Sequence, residues 1–324
     1  MTSRYTEIDL SGIETVSIED RGGLVDVESF VEAREPGEEF DALLESFPDI
    51  LAGSELRNAV EAVATVVERQ GTLVLMLGAH VIKCGLSRLV IDLMERGFVS
   101  AIATNGAGAI HDAEIGMWGM TSEDVSVNLA NGTFGACRET AELVNGAARE
   151  ARAEQLGFGE ALGRAIVRGD APHLDASIFG RAWELEVPVT VHVALGTDIV
   201  HEHASADGAS IGDASLRDFR IFSEVVSRID GGAVVNIGSA VVLPEVFLKA
   251  LAVGRNLGRI EGAFSAVSMD MNEPYRTMMN VVRRPTAQSG MGFAIRGRHE
   301  VLVPLFRAAL LRSLARGRDS RDSR

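Results

Sequence analysis

The sequence has few cysteines, few lysines and no long apolar run. Two cysteines in 324 residues, Cys84 and Cys137, exclude a disulfide framework. No apolar segment is long enough to cross a bilayer, and the first residues lack the apolar core of a signal peptide. We therefore expect a cytoplasmic protein with no membrane partner.

Positive charge is scarce and is carried almost entirely by arginine. Lysine occurs only at Lys83 and Lys249, and the formal net charge is −15. So acidic a chain repels nucleic-acid phosphates, which argues against nucleic-acid binding. Neither the G-x-G-x-x-G dinucleotide fingerprint nor a P-loop motif is present. The expected partner is therefore a small-molecule substrate.

The apolar residues, 46% of the chain, form alternating strand and helix patterns. Two β-rich runs enclose a helical pattern, which predicts a βαβ unit with parallel strands. Six such strands predict a doubly wound, mostly parallel, Rossmann-like α/β sheet with helices on both faces. The predicted strands are Leu73–Leu77, Val99–Ala103, Val189–Leu195, Ala233–Ile237, Phe264–Met269 and Gly292–Ile295; the predicted helices include Glu55–Arg69, Gly135–Glu154, Phe158–Val167, Ser177–Glu186, Leu216–Ile229, Leu243–Gly254 and Glu300–Leu314.

This pattern predicts a single α/β domain over residues 51–315. Residues 1–50 are acidic and poorly periodic, and we interpret them as an arm that packs on the domain or on a neighbouring subunit. Residues 316–324 are predicted to be a disordered tail. Residues 113–134 are interpreted as an irregular loop, and residues 270–289 as a polar insertion.

Each predicted strand ends in a polar segment that contains glycine. Ligands of open α/β sheets bind at the carboxyl ends of the strands, so these segments are the first candidates for a site. The glycines of 104–108 either let a phosphate approach the backbone or form a tight strand-to-helix turn, and spacing alone favours the turn. The segment after Asp270 either holds a cationic or hydroxylated substrate or is a solvated loop.

Histidines cluster after the third predicted strand. His201 and His203 are two residues apart and share one side of an extended segment. With His192 and Asp198 they are a possible Zn²⁺ or Fe²⁺ ligand set, the alternative being a hydrogen-bonded polar loop. A histidine pair also relays protons near neutral pH. The candidate catalytic residues are His201, His203, Asp198, His111 and Lys83.

The segments at the strand ends, taken in order, resemble the deoxyhypusine synthase family from about Leu73 to Leu310. GAHVIKCGL stands where that family has S-N-x-I-S-S-G, and ATNGAGAIHD where it has T-T-A-G-G-x-E-E-D. VPVTVHVALGTD resembles I-P-V-x-x-P-A-x-T-D, and NIGSAVVLPEVFLKAL resembles L-G-G-G-x-x-K-H-H. The resemblance implies NAD bound at the subunit interfaces of a homotetramer. With the strand-end argument it places the cofactor at His80, Thr104, Asn105, Gly106, Gly108, Asp112, Thr197, Asp198, Gly238, Ser239 and Asp270.

The catalytic residues of that family are not retained. Members transfer an aminobutyl group from spermidine through a lysine imine, but no lysine lies within 270–289. The family's histidine is absent near Pro244-Glu245, and Ile110 and His111 replace its acidic pair. We predict an enzyme that binds an NAD-like nucleotide or small metabolite, with altered transferase-type chemistry and no deoxyhypusine synthase activity. The alternatives are a metal-dependent hydrolase or lyase using His201 and His203, and a non-catalytic ligand-binding protein.

Overall fold

Six parallel strands form one sheet at the centre of the molecule. The computed structural model describes residues 8–322, with side chains for 8–317. The strands are β1 (Leu73–Leu77), β2 (Ala101–Asn105), β3 (Val189–His192), β4 (Ala233–Ile237), β5 (Ser265–Asp270) and β6 (Met291–Arg296). Their order is β3-β2-β1-β4-β5-β6, and every neighbouring pair is parallel. Strands β2 and β3 are added to one side of β1 and the last three strands to the other, so the strand order reverses between β1 and β4, which is the switch-point topology of doubly wound nucleotide-binding folds.

Helices cover both faces of this sheet. Along β1, Leu73, Leu75 and Leu77 pack into one core, whereas Val74 and Met76 pack into the other, because successive side chains point to opposite faces. The helices are α1 (Ile18–Arg21), α2 (Glu39–Ser46), α3 (Leu51–Glu68), α4 (His80–Lys83), α5 (Ser87–Glu95), α6 (Gly106–Trp118), α7 (Val125–Asn131), α8 (Arg138–Glu154), α9 (Phe158–Arg168), α10 (Ile178–Glu184), α11 (Gly208–Val226), α12 (Val242–Asn256), α13 (Tyr275–Thr277), a π-helix (Met278–Arg283) and α14 (His299–Asp322).

The predicted architecture is confirmed, but several boundaries differ. Residues 113–134 are not an irregular loop, since α6 extends to Trp118 and α7 follows. Strand β3 ends at His192 instead of Leu195, whose side chain is exposed. The 270–289 insertion contains α13 and the π-helix. Helix α14 continues to Asp322, through most of the segment predicted as a tail.

The described part of the N-terminal arm packs on its own domain. Ile18, Val27 and Phe30 are buried, and the Glu139 carboxylate accepts hydrogen bonds from the Ser17 hydroxyl and the Ile18 N–H. A two-residue antiparallel pairing joins residues 25–26 to 120–121. None of the helices within residues 8–322 is long and apolar enough to cross a membrane.

Candidate functional site

A cavity of about 200 Å³ opens at the carboxyl edge of β1, β2 and β3. Four residues singled out from the sequence line it: Lys83 from α4, His111 from α6, and Thr197 and Asp198 from the loop after β3. The fold brings them together because parallel strands deliver their following segments to the same edge. The remaining lining residues are Arg21, Ala107, Ile110, Glu114, Ser122, Glu123, Val125, Phe134 and Ile199.

Asp198 lies over the first turn of α6. A Cβ placed on Gly106 would lie 1.9 Å from the Asp198 Oδ2 atom, so only glycine allows the carboxylate to approach this closely. The positive end of the helix dipole favours an anion here. Burial nevertheless raises the pKa of the Asp198 carboxyl. A carboxyl group of raised pKa at a cavity wall is suited to proton transfer.

His201 stands beside this carboxylate in a defined tautomer. Its Nδ1 accepts hydrogen bonds from the backbone N–H groups of Gly196 and Asp198, each at 3.2 Å. In the neutral ring the proton is therefore on Nε2, which lies 4.0 Å from Asp198 Oδ2. His201 does not itself line the cavity, but its ring lies next to Asp198, which does.

His111 ends a chain of buried hydrogen bonds. The Thr121 hydroxyl donates to Glu114 Oε2 at 2.6 Å, so it must accept from His111 Nδ1, 2.7 Å away. The Nε2 atom of His111 has no hydrogen bond from residues 8–317 and keeps its lone pair. Burial lowers the pKa of His111 to about 4. The ring is neutral at pH 7 and presents an unprotonated nitrogen at the cavity wall.

Arg21 is the functional candidate that sequence reasoning missed. Its Nη1 atom is 2.8 Å from Glu114 Oε1 and 4.0 Å from Glu123 Oε1, and its side chain is 2% exposed. Two of its nitrogens, Nε and Nη2, lack a hydrogen-bond partner among the described atoms. Periodicity could not place a residue of the acidic arm inside the cavity. The available signal was Glu114, an acidic residue in an otherwise apolar segment.

Two of the predicted histidines lie apart from the cavity lining. His192 is buried, with Nε2 3.0 Å from the Thr190 hydroxyl and its ring edge-on against Phe222. His203 is also buried, and its Nε2 is 2.8 Å from the Gly135 carbonyl. Within the described residues, His192, Asp198, His201 and His203 do not form a group of clustered metal ligands. Their side chains contact separate partners, so the structure gives this metal set no support.

Several predicted cofactor residues have structural partners. Asn105 Oδ1 accepts from the Gly108 N–H and caps α6, which is the strand-to-helix turn that spacing favours. The Thr104 hydroxyl donates to the Leu77 carbonyl. Asp112 is fully buried, and its carboxylate accepts hydrogen bonds from Ser177 and from the backbone N–H groups at the start of α10. Asp112 therefore fixes α10 instead of facing the cavity.

The rest of the carboxyl edge, formed by β4, β5 and β6, meets the first three strands at the switch point between β1 and β4. Gly238 has a φ of +70°, and a Cβ on it would lie 2.6 Å from the His299 ring. The ring of His80 stands edge-on to that ring, 5.5 Å between centroids. Ser239 and Asp270, also predicted as cofactor residues, follow β4 and end β5 beside this crevice.

A larger cavity, of about 410 Å³, lies elsewhere and is mainly apolar. It is lined by Trp183 of α10 and by Pro188 and Val189, at the amino end of β3. Its buried acidic residue, Asp218, accepts hydrogen bonds from the Gly159 and Val191 N–H groups. Because ligands of this sheet type bind at the opposite edge, we place the site in the smaller cavity, which is lined by Lys83, His111 and Asp198.

Comparison with solved structures shows the same fold in several enzymes. AgrE crystallised with ornithine and NAD⁺ superposes with a TM-score of 0.51 at 14% identity, over 89% of this chain and 35% of AgrE. An LOR/SDH protein from Methanococcus maripaludis S2 gives 0.50 at 15%, over 83% of this chain and 71% of that one. A protein from Entamoeba histolytica assigned as a deoxyhypusine synthase gives 0.50 at 12%, over 86% and 96%.

These likenesses show a shared Rossmann-like α/β fold. No family model matches the sequence, and no curated protein matches it. The chain spans about a third of the length of AgrE and of the cyanobacterial arginine dihydrolase ArgZ. A deoxyhypusine synthase is thus among proteins of the same fold, whereas membership of that family stays a prediction.

Proposed function

We propose that this protein is an enzyme that binds an NAD-type nucleotide along the carboxyl edge of the sheet and acts on a small zwitterionic metabolite in the 200 Å³ cavity. The observation that carries the proposal is the meeting of Lys83, His111 and Asp198 around one cavity at this edge. The strand order and the NAD⁺-bound AgrE of the same fold support the nucleotide.

The two lining charges without a buried ion-pair partner suggest the substrate class. Asp198 offers a carboxylate to an ammonium group, and the exposed Lys83 amine offers a cation to a carboxylate. The other lining charges are paired within the wall, where Arg21 lies between the carboxylates of Glu114 and Glu123. An amino-acid-like ligand matches this pair of opposite charges, and ornithine bound to AgrE is a ligand of this kind.

The proposed chemistry is proton transfer beside the nucleotide. The unprotonated Nε2 of His111 accepts a proton from the substrate, and Asp198 with His201 holds or returns it. The neutral state of His111 at pH 7 fits the role of a base. Metal-dependent catalysis at His201 and His203 is not part of the proposal, because only His201 approaches Asp198 and no third ligand of the predicted set joins them within the described residues.

Thermal unfolding with defined ligands tests the proposal. We expect NAD⁺ at 100 times its Kd to stabilise the protein by about 2.7 kcal/mol. Ornithine should raise the midpoint further in the wild type but not in Asp198→Asn. The control Asp213→Asn alters a half-exposed carboxylate on α11 and should keep both responses. No response to NAD⁺, or an unchanged ornithine response in Asp198→Asn, would contradict the proposal.

The absence of deoxyhypusine synthesis is tested separately. Imine formation requires a desolvated amine, but Lys249 is exposed and paired with Glu245 on α12 at 2.7 Å. The segment 270–289, in which the family lysine is expected, contains no lysine, and its Arg283 and Arg284 cannot form an imine at neutral pH. Borohydride treatment after incubation with spermidine and NAD⁺ should leave the protein mass unchanged. A reduced aminobutyl adduct would overturn this prediction.

A further inference from the structure

Three potential metal ligands converge at the switch point, outside the cavity described above. One ligand atom each from His80, Cys84 and Glu300 lies within 4.8 Å of the other two, and within residues 8–317 no other group of three such residues is this close. His80 begins α4 and Cys84 follows its last residue. A spacing of four residues puts their side chains on one side of the turn. Glu300 comes from the first turn of α14.

A buried histidine without a well-aligned hydrogen bond lies beside this group. His299 is 1% exposed, and its ring has only a weak contact with the Met269 backbone, since neither ring nitrogen makes a hydrogen bond of good geometry to a described atom. Its ring stands edge-on to that of His80, and Asp270 and Glu300 are close enough to influence its charge. A buried, unpaired imidazole is costly unless something absent from the protein satisfies it. A metal ion, or a water bound to one, supplies such a partner.

We propose that His80, Cys84 and Glu300 bind a divalent transition metal of the zinc class, with the fourth position open toward His299. Imidazole nitrogen, thiolate sulfur and carboxylate oxygen are all zinc ligands, and three protein ligands with an open position are the catalytic arrangement. The thiol donates to Glu300 Oε2 at 3.8 Å. On binding, the metal–sulfur bond replaces the S–H bond and one proton leaves to solvent.

The surroundings suit reversible metal entry. His80 and Glu300 are exposed and Cys84 is half-buried, so an ion reaches all three from solvent. None of these three residues lines the cavity that holds Lys83, which keeps this site separate from Asp198. His80 is also one of the predicted cofactor residues, so Co²⁺ binding is measured without nucleotide, and its failure is distinguishable from a failure to bind NAD⁺.

Cobalt titration of the tag-free, chelator-treated protein tests the site. We expect one Co²⁺ per chain, with a thiolate-to-cobalt charge-transfer band in the near ultraviolet. Cys84→Ser should abolish that band, and Glu300→Gln should weaken Co²⁺ binding by roughly 10-fold or more. Both residues are at the surface, so the fold should persist, which circular dichroism checks.

Two controls distinguish this site from others in the chain. Cys137→Ser removes the other, buried cysteine and should leave the band intact. His201→Ala removes a histidine of the segment that the sequence indicated as a metal site and should leave Co²⁺ binding unchanged. Failure of the wild type to bind Co²⁺, a band that persists in Cys84→Ser, or loss of binding in His201→Ala would each overturn the proposal.

Discussion

Among single residues, the buried ion pair of Arg21 and Glu114 gives the sharpest stability prediction. Both side chains are almost fully buried, so Glu114→Gln removes the close partner of Arg21 and leaves only the more distant Glu123 carboxylate, at 4.0 Å. Breaking a buried ion pair by removing one partner costs about 3–5 kcal/mol. We expect a loss of this size in the free energy of unfolding measured with urea.

The matched control is an acidic residue in an exposed ion pair. Glu224 bonds Arg228 and Arg259 at the surface, where solvent screens the interaction. Glu224→Gln should therefore leave the urea midpoint unchanged. If the two variants behaved alike, the Arg21–Glu114 pair would not be the buried interaction described here.

His192 predicts a specific dependence of stability on pH. Burial lowers its pKa from 6.5 to about 3, so the folded ring stays neutral where the unfolded ring gains a proton. The unfolded state then binds more protons between these values, and stability falls as the pH drops from about 6.5 to 3. Relative to His192→Gln, the wild type should lose about 1.4 kcal/mol per pH unit in this window. Above pH 7 the free energies of unfolding of the two proteins should depend on pH in the same way. Equal slopes of these free energies below pH 6 would contradict the prediction.

Residue chemistry at strand ends could be predicted, but side-chain direction could not. Lys83, His111 and Asp198 all lie in segments that follow strands, and the parallel sheet brings them together. His192 also lies at a strand end, yet it points toward Phe222 because alternation along β3 directs it to the other face. The side of the sheet to which a strand residue points, and not its nearness to the strand end, therefore decides which histidine faces the site.

At the level of elements, α6 shows why one helix could not be predicted. Nine of its thirteen residues are buried, so no polar face marks the helical period. Its start at Gly106 follows β2 without an intervening loop, which hides the boundary. Helices α3 and α9 are amphipathic, and their predicted ends lie within a few residues of those observed.

The contact between the start of α6 and the loop after β3 yields a second prediction. Gly106→Ala puts a methyl group against the Asp198 carboxylate, and such overpacking costs about 1–3 kcal/mol. In an Asp198→Ala background the obstruction is gone, so the same change should cost less. We expect a coupling of about 0.5–3 kcal/mol in the double-mutant cycle.

A glycine in open space provides the control for this cycle. A Cβ placed on Gly212 of α11 would have nothing within 4 Å, and alanine is the better helix former. Gly212→Ala should stabilise the protein by about 0.5–1 kcal/mol, equally in both backgrounds. Additive effects of Gly106→Ala and Asp198→Ala would show that the two residues do not touch.

Across the whole molecule, hydrophobic periodicity was sufficient to predict the strands of the sheet, but it could not predict which residues form the site. Strands β1 and β4 begin and end where predicted, because each is a buried apolar run bounded by glycine. The site depends on Arg21, which is 93 residues away from Glu114 in sequence, and such pairings leave no local signal. The same limit applies to Cys84 and Glu300, which are 216 residues apart.

Self-association is the remaining prediction at this scale, and α7 indicates where it occurs. This seven-residue helix buries none of its residues, and Val127 and Leu129 are 57% and 67% exposed. Because so short a helix depends on packing for its stability, we expect a second copy of the chain to cover it.

The cavity lies beside this surface, since Val125 of α7 is part of its lining. We expect the protein to sediment as a homo-oligomer at micromolar concentration. The resemblance to deoxyhypusine synthases implies that this oligomer is a tetramer. Leu129→Asp should shift the protein toward monomer, because a buried unpaired carboxylate disfavours the interface. Leu257→Asp, at a similarly exposed leucine after α12, should not. A wild-type monomer, or equal dissociation by both substitutions, would exclude α7 as the contact.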